Sequence, residues 1–176
     1  MEFPISFFLD FAWNPEAIDA NELEDYSIDW AKKQFGDEYS SEIGEILDTY
    51  TKYNSRRKPE MLSPETYSLI NYNEAENVVE DYSQLVEKAE EINNRLPAEY
   101  KDAYYQLVLF PVKASANLNE LYVATAKNRL YAEQGRALAN SYAEKVKELY
   151  SKDSALTEEY HNINDGKWNH MMSQTH

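Results

Sequence analysis

The segment from Asp165 to His176, DGKWNHMMSQTH, carries the densest set of side chains that could do chemistry. It places Lys167, Trp168, Asn169 and His170 in direct succession, so several hydrogen-bonding groups lie beside one large aromatic ring. No apolar residue recurs there at helical or strand spacing, which argues against a packing stripe. These residue types suit a sugar or nucleotide pocket. Because the chain stops inside this segment, we expect a piece cut from a longer protein.

A structural interpretation of the same segment carries equal weight. Trp168 could close the end of a helix bundle, while its polar neighbours satisfy exposed backbone groups. A second candidate is the junction at Trp13 and Asn14, where an apolar run ends at a proline. The sequence predicts that both segments lie near a domain interface.

Metal and catalytic sites are not expected in this chain. The three histidines, His161, His170 and His176, lack the i, i+4 spacing of a helical zinc site, and there is no cysteine. A glycosidase needs two opposed carboxyl groups about 5–10 Å apart, one of which has a raised pKa. The acidic pairs here, such as Glu90–Glu91 and Glu158–Glu159, fall on polar helix faces. We therefore predict no catalytic residue, no metal and no cofactor.

The net charge of the chain limits the classes of partner that we expect. Its 32 acidic residues against 17 basic ones give a net charge of −15. Such a charge repels nucleic-acid phosphates and anionic membranes, so neither is an expected partner. The apolar run from Phe3 to Trp13 is shorter than the ~20 residues that span a bilayer and lacks a basic leader. The localisation cannot be read from these residues.

The only basic cluster is Arg56-Arg57-Lys58. At the end of a helix it would suit the negative end of the helix dipole. The functional alternative is a salt bridge or an anion contact with a group outside this chain.

Low glycine and proline counts, 4 and 6, favour long helices. Apolar spacing predicts a first helix from Asp19 to Gly36, a second from Ser40 to Arg57 and a third from Asn73 to Leu96. Capping-box patterns at Asp19/Glu22 and Asn73/Glu76 support the first and third. For the third helix we predict the core residues Val79, Tyr82, Val86 and Ile92. The run from Phe3 to Trp13 is read as buried, either as a strand end or as a helical turn.

A fourth helix is predicted to start near Ala98 and to kink before Pro111, whose ring clashes with the preceding turn. Its apolar stripe continues in phase past Gly135 to Tyr150, which favours one continuous helix. A short last helix is expected from about Ser154. These patterns together predict an all-α fold, an antiparallel bundle of about five to six helices with one long kinked helix. We divide it into a leading segment at 1–18, a bundle at 19–163 and an exit loop at 164–176.

Five blocks of sequence carry a family resemblance that runs in order through the whole chain. They are FFLDFAWNPE at Phe7–Glu16, YTKYNSRRKPEMLSPETYSLINY at Tyr50–Tyr72, YYQLVLFPVKASANLNELY at Tyr104–Tyr122, AKNRLYAEQGRA at Ala126–Ala137 and GKWNHMMSQTH at Gly166–His176. Together they resemble glycoside hydrolase family 115, the xylan α-1,2-glucuronidases and their relatives. Each block alone is a weak signal.

The resemblance implies the helical domain of a multidomain enzyme. In that family the helical domain follows a catalytic (β/α)8 barrel and precedes a β-rich domain. The catalytic carboxylates belong to the barrel, so none is assigned to a residue of this chain. The expected partners are the barrel and the C-terminal domain of the parent, with a xylan-derived uronide as the parent's substrate. A homodimer of the parent is kept as an alternative, and the parent is expected to be secreted or periplasmic.

The resemblance implies that two segments lie at domain junctions. Their residues are the candidates for contact with a neighbouring domain or with substrate: Lys167, Trp168, Asn169, His170, Trp13 and Asn14. A different class of function remains open. The chain could be an autonomous helical module that binds carbohydrate or a partner protein without catalysis. An apolar face left exposed would favour the buttress of a larger enzyme. A self-contained polar surface with an aromatic-lined groove would favour the module.

Overall fold

The computed structural model describes residues 2–19 and 23–173. Within those ranges the chain forms helices and no strand, which confirms the predicted all-α class. The α-helices are α1 (Glu2–Trp13), α2 (Leu23–Phe35), α3 (Ser40–Arg56), α4 (Glu74–Arg95), α5 (Ala98–Tyr104), α6 (Phe110–Glu133) and α7 (Leu138–Gly166). A π-helical turn, Tyr105–Leu109, joins α5 to α6, so these two form one long rod. Short 3₁₀ turns occur at Pro15–Ala17 and Pro59–Met61.

The helices pack as successive antiparallel neighbours. α2 and α3 form a hairpin, α4 lies against α3 and α6, and α7 runs back along α6. The main core lies where α2, α3, α4 and the α5–α6 rod meet, and it includes an aromatic chain through Trp30, Phe35 and Tyr104. Their rings meet edge to face with centroids 6.1 and 5.6 Å apart, a favourable arrangement for aromatic pairs.

At two positions of α4 the structure buries the neighbour of the predicted residue, Val78 instead of Val79 and Leu85 instead of Val86. Tyr82 and Ile92 are buried as predicted, whereas Val79 and Val86 are only half-buried. The buried stripe is Ala75, Val78, Tyr82, Leu85, Ala89 and Ile92. These positions alternate by three and four residues and therefore lie along one narrow stripe of the helix, here called the seam. The helices that α4 contacts are mainly α3 and α6. The flanking valines therefore fall at the edge of the seam.

The expected break before Pro111 is present as the π-helical turn. The N–H of Phe110 donates to the carbonyl of Tyr105, five residues back, instead of following the α-helical pattern. One extra residue per turn moves the carbonyls away from the proline ring, so the rod continues through Pro111 without a steric clash. The turn also presents Tyr105, Val108 and Leu109 to the core.

Continuity of the helix past Gly135 was a wrong prediction. α6 ends at Glu133, and Gly135 has a φ of +65°. The N–H of Arg136 donates to the carbonyl of Tyr131 at 2.8 Å, which is the long bond of a Schellman C-cap. The separate short helix from Ser154 is also absent, because α7 runs through that position from Leu138. The predicted stripe is also not the buried one: α7 buries Leu149, Leu156 and Tyr160, whereas Tyr150 is 58% exposed.

α1 corrects the expectation of a buried leading segment. It is a helix, but none of its residues is fully buried. Phe3 and Phe7 contact α2 through Trp30 and Tyr26, with ring centroids 5.5 and 5.1 Å apart. The outward side carries Ile5, Phe8, Leu9, Phe11 and Trp13, and the last is 91% exposed.

The capping boxes are not both realised. Asn73 precedes α4 in a left-handed conformation, with φ +53°, and its side chain makes no capping bond. The carboxylate of Glu74 instead accepts a bond from the N–H of Ser68. Glu22 lies outside the described residues, so the first capping box cannot be placed.

Candidate functional site

The closing segment folds as a chain of turns after α7. Regular helical geometry stops at Ile163, and Asn164 and Asp165 adopt left-handed conformations that asparagine and aspartate tolerate better than most residues. Four backbone hydrogen bonds between 3.0 and 3.2 Å hold the turns between Asn164 and Ser173. The segment also ties back to the helix, because the N–H of Met172 donates to Nε2 of His161 at 3.1 Å.

Trp168 is partly buried and packs against the main core, together with Ile163 and Met172. The ammonium of Lys167 lies over its ring, 5.0 Å from the centroid. Lys167, Asn169 and His170 are otherwise exposed to solvent. The geometry matches the structural interpretation for Trp168 and leaves the three polar side chains free to face another molecule.

Trp13 and Asn14 line a different groove. Together with Leu9 and Asp10 of α1 and Lys33 of α2, they border an open space of about 660 Å³. No residue of the closing segment lines that groove. The six predicted residues therefore form two surfaces in the described structure, and whether either faces substrate or a neighbouring domain remains a prediction.

The sequence reasoning did not identify the loop of residues 57–73 as a site. This 57–73 loop has no regular structure beyond one 3₁₀ turn, yet it is firmly anchored. The hydroxyl of Tyr67 donates to Oδ1 of buried Asn119 at 3.1 Å, and Glu65 pairs with Arg129 at 3.0 Å. Long ordered loops of this kind are commonly functional. The available signal was the basic cluster at its start and the loss of periodicity between two prolines.

The 57–73 loop and the first turns of α4 enclose a groove of about 670 Å³, called here the α4 groove. Its wall includes Arg57, Tyr72, Glu74, Asn77 and Asp81. Tyr72 is 96% exposed and sits in a left-handed conformation, with φ +56°. A bulky residue rarely adopts that conformation, and such strain concentrates at functional sites.

Ion pairs neutralise much of the α4 groove. Arg56 stacks on Tyr53 and pairs with Asp81 at 2.6 Å, and Glu65 is held by Arg129. Within the described residues, Arg57 and Glu74 are the two charged groups of the groove that have no ion pair. The Nε–H of Arg57 donates to the carbonyl of Met61, and Oε2 of Glu74 accepts a hydrogen bond from the backbone N–H of Ser68. Both Arg57 and Glu74 line the groove.

Other chemistry is limited within the ranges 2–19 and 23–173. No group of three or more histidine or acidic side chains converges there as a metal site would require. The Lys127 ammonium bonds to Glu76 and holds the pKa of that carboxyl below its usual value, the opposite of what a general acid needs. No helix in that part of the chain is both long and apolar enough for a bilayer span.

Comparisons with known proteins concern the family of the first helices and the overall fold. The model of glycosyl hydrolase family 115 matches residues 1–61, which cover α1 to α3. Among solved structures, the fold is similar to that of BtGH115A, described as a family GH115 4-O-methyl-alpha-glucuronidase with specificity for decorated arabinogalactans. The TM-score is 0.76 at 24% sequence identity. No curated protein matches the sequence of this chain.

The similarity covers 98% of this chain but only 23% of BtGH115A. The chain thus spans about a quarter of the length of that enzyme, and at this identity the structural likeness establishes the fold. The resemblance predicted from the sequence is confirmed: residues 1–61 match the model of glycosyl hydrolase family 115, and the helical fold of the chain is similar to that of part of an enzyme of that family.

Proposed function

We propose that this chain is the helical, non-catalytic part of a multidomain glycoside hydrolase of the family 115 type. The observation that carries the proposal is α1. This helix exposes Ile5, Phe8, Leu9 and Trp13 on its outward side, within the segment that matches the family. An apolar patch of this kind usually marks an interface, because leaving it in water is unfavourable. The proposed occupant is the catalytic barrel of the same parent chain.

The difference in length between this chain and the similar enzyme supports a larger parent protein. A chain similar to 23% of a uronidase leaves room for a separate catalytic domain and a further domain. The parent is proposed to remove glucuronic or 4-O-methylglucuronic acid from xylan. BtGH115A is described as specific for decorated arabinogalactans, so glucuronylated arabinogalactan is included in the proposed substrate class.

The test is to express the complete reading frame that encodes these residues and to compare it with the 176-residue chain. We expect the complete protein to release uronic acid from glucuronoxylan or arabinogalactan and the chain alone to release none. Phe8→Asp in the complete protein should lower both the soluble yield and the melting temperature, because it places a charge in the proposed interface. Leu138→Asp, at an apolar position 56% exposed at the start of α7, is the matched control. Uronic acid released by the chain alone would contradict the proposal.

The closing segment extends the same proposal. We propose that Lys167, Asn169 and His170 face the barrel near its sugar pocket, while Trp168 fixes their position by packing on the core. Lys167 would then meet a uronate carboxylate or a buried acid of the barrel. In the complete protein, Lys167→Ala and Asn169→Ala should each lower kcat/KM by about tenfold or more without a comparable loss of stability. Wild-type kinetics in both variants would leave a structural role only.

A further inference from the structure

We infer that the α4 groove is a binding site for neutral oligosaccharides, separate from any catalytic pocket. The inference starts from Tyr72. Its ring is 96% exposed, although its backbone is held in a left-handed conformation. The side-chain amide of Asn77 donates to the Tyr72 carbonyl at 3.2 Å, and this bond ties the backbone of Tyr72 to the first turn of α4. An exposed ring on a fixed backbone is a ready platform for the apolar face of a sugar.

The polar groups around the ring fit hydroxyl groups rather than a charge. The groove wall carries two arginines against three acids, Glu65, Glu74 and Asp81. Arg56 and Asp81 neutralise each other, and Glu65 is neutralised by Arg129. What remains on the wall is the guanidinium of Arg57, the carboxylate of Glu74 and the amide of Asn77, which together supply donors and acceptors. Alternating donors and acceptors satisfy the hydroxyls of a sugar, which both donate and accept.

The site is organised before any ligand binds. The turn at Ser63 is closed by its backbone N–H, which donates to Oγ1 of Thr66 at 2.9 Å. Tyr67 and Glu65 anchor the loop to α6 through Asn119 and Arg129. A ligand would not need to order the loop, which reduces the entropic cost of binding. The groove volume of about 670 Å³ accommodates two or three sugar rings within the range of ordinary ligand sites.

The experiment uses the full 176-residue chain and two neutral probes, xylohexaose and an arabinogalactan oligosaccharide, titrated by calorimetry and by NMR. We expect saturable binding of at least one probe with a Kd of about 1 mM or tighter. Tyr72→Ala should weaken it by about tenfold, and Tyr72→Phe, which keeps the ring, should retain it within about twofold. Ile70→Ala is the matched control, because Ile70 is 83% exposed on the same loop and does not line the groove.

Three outcomes would overturn the inference: no saturable binding of either probe, an equal loss in Ile70→Ala, or a groove that takes up glucuronate more tightly than the neutral probes. If Tyr72→Ala also loses its fold, Arg57→Gln gives the same readout from the opposite wall. The result is independent of the proposed uronidase role. Binding can fail while the complete protein still releases uronic acid, and the release can fail while the groove still binds.

Discussion

At the residue scale, the structure separates side chains that pack from side chains that remain available. Trp168 was a candidate for substrate stacking, but it packs on the core, whereas the ring of Tyr72, which the sequence did not single out, is open to solvent. A similar distinction occurs along α4, where neighbouring residues have different roles. Leu85 is 3% exposed, whereas Val86 is half-buried and lines a small groove with Ser83 and Lys113.

We predict that Leu85→Asp abolishes folding or lowers stability by several kcal/mol, because it buries a charge without a partner. Val86→Asp should cost far less, about 1–2 kcal/mol, since its carboxylate can reach water or the ammonium of Lys113. Urea denaturation of the two variants checks the pair. Equal losses would mean that the seam of α4 is wider than the structure indicates.

At the element scale, glycines set how helices approach and end. A Cβ on Gly44 of α3 would lie 3.0 Å from both the backbone nitrogen and Cγ1 of Ile28, so α2 and α3 touch at this point. Gly135 has open space around it, but its φ of +65° disfavours any side chain. The two positions therefore resist alanine for different physical reasons.

We predict that Gly44→Ala destabilises the chain by about 1–2 kcal/mol even though alanine is the better helix former, because the backbone of Ile28 cannot move aside. Gly135→Ala should cost about 1 kcal/mol through backbone strain, and Gly135→Asn should cost less because asparagine tolerates this conformation. The midpoints of urea unfolding at unchanged m-value report both effects. A more stable Gly44→Ala variant would show that the α2–α3 contact is loose.

At the scale of the whole molecule, tyrosines are a large part of the interior. Burial is the main cause that raises the pKa of seven of them, namely Tyr26, Tyr50, Tyr67, Tyr82, Tyr104, Tyr105 and Tyr160. Tyr104 is fully buried, and its hydroxyl donates to the carbonyl of Ala89 at 3.1 Å. Its ionised form would lose this donor in an environment that cannot solvate the charge.

We therefore predict alkaline unfolding. A raised pKa in the folded state contributes stability that is fully present below the unfolded value of about 10 and is lost as the pH rises toward the folded value. The melting temperature should fall steeply above about pH 10, with tyrosinate absorbance and loss of helix appearing together. Tyr104→Phe should make the fall shallower. Complete tyrosine ionisation with the helices intact would contradict the prediction.

Local sequence patterns are enough to predict the helical class, the family resemblance, the position of the break before Pro111 and most helix ends. These features depend on local periodicity, on the backbone preferences of proline and glycine and on short blocks of sequence. They can therefore be predicted without knowing any contact between residues far apart in the chain. Tyr82 and Ile92 were likewise placed in the core from spacing alone.

Which helix faces are covered depends on how the helices pack, and the local sequence does not show this. Phe3 to Trp13 reads as buried because its composition is apolar, yet the described chain covers only one side of it. The α4 groove could not be predicted because the loop that forms one wall is held to α6 by contacts between residues far apart in sequence, Tyr67 with Asn119 and Glu65 with Arg129. Burial and grooves are properties of which surfaces meet, and local sequence does not specify that meeting.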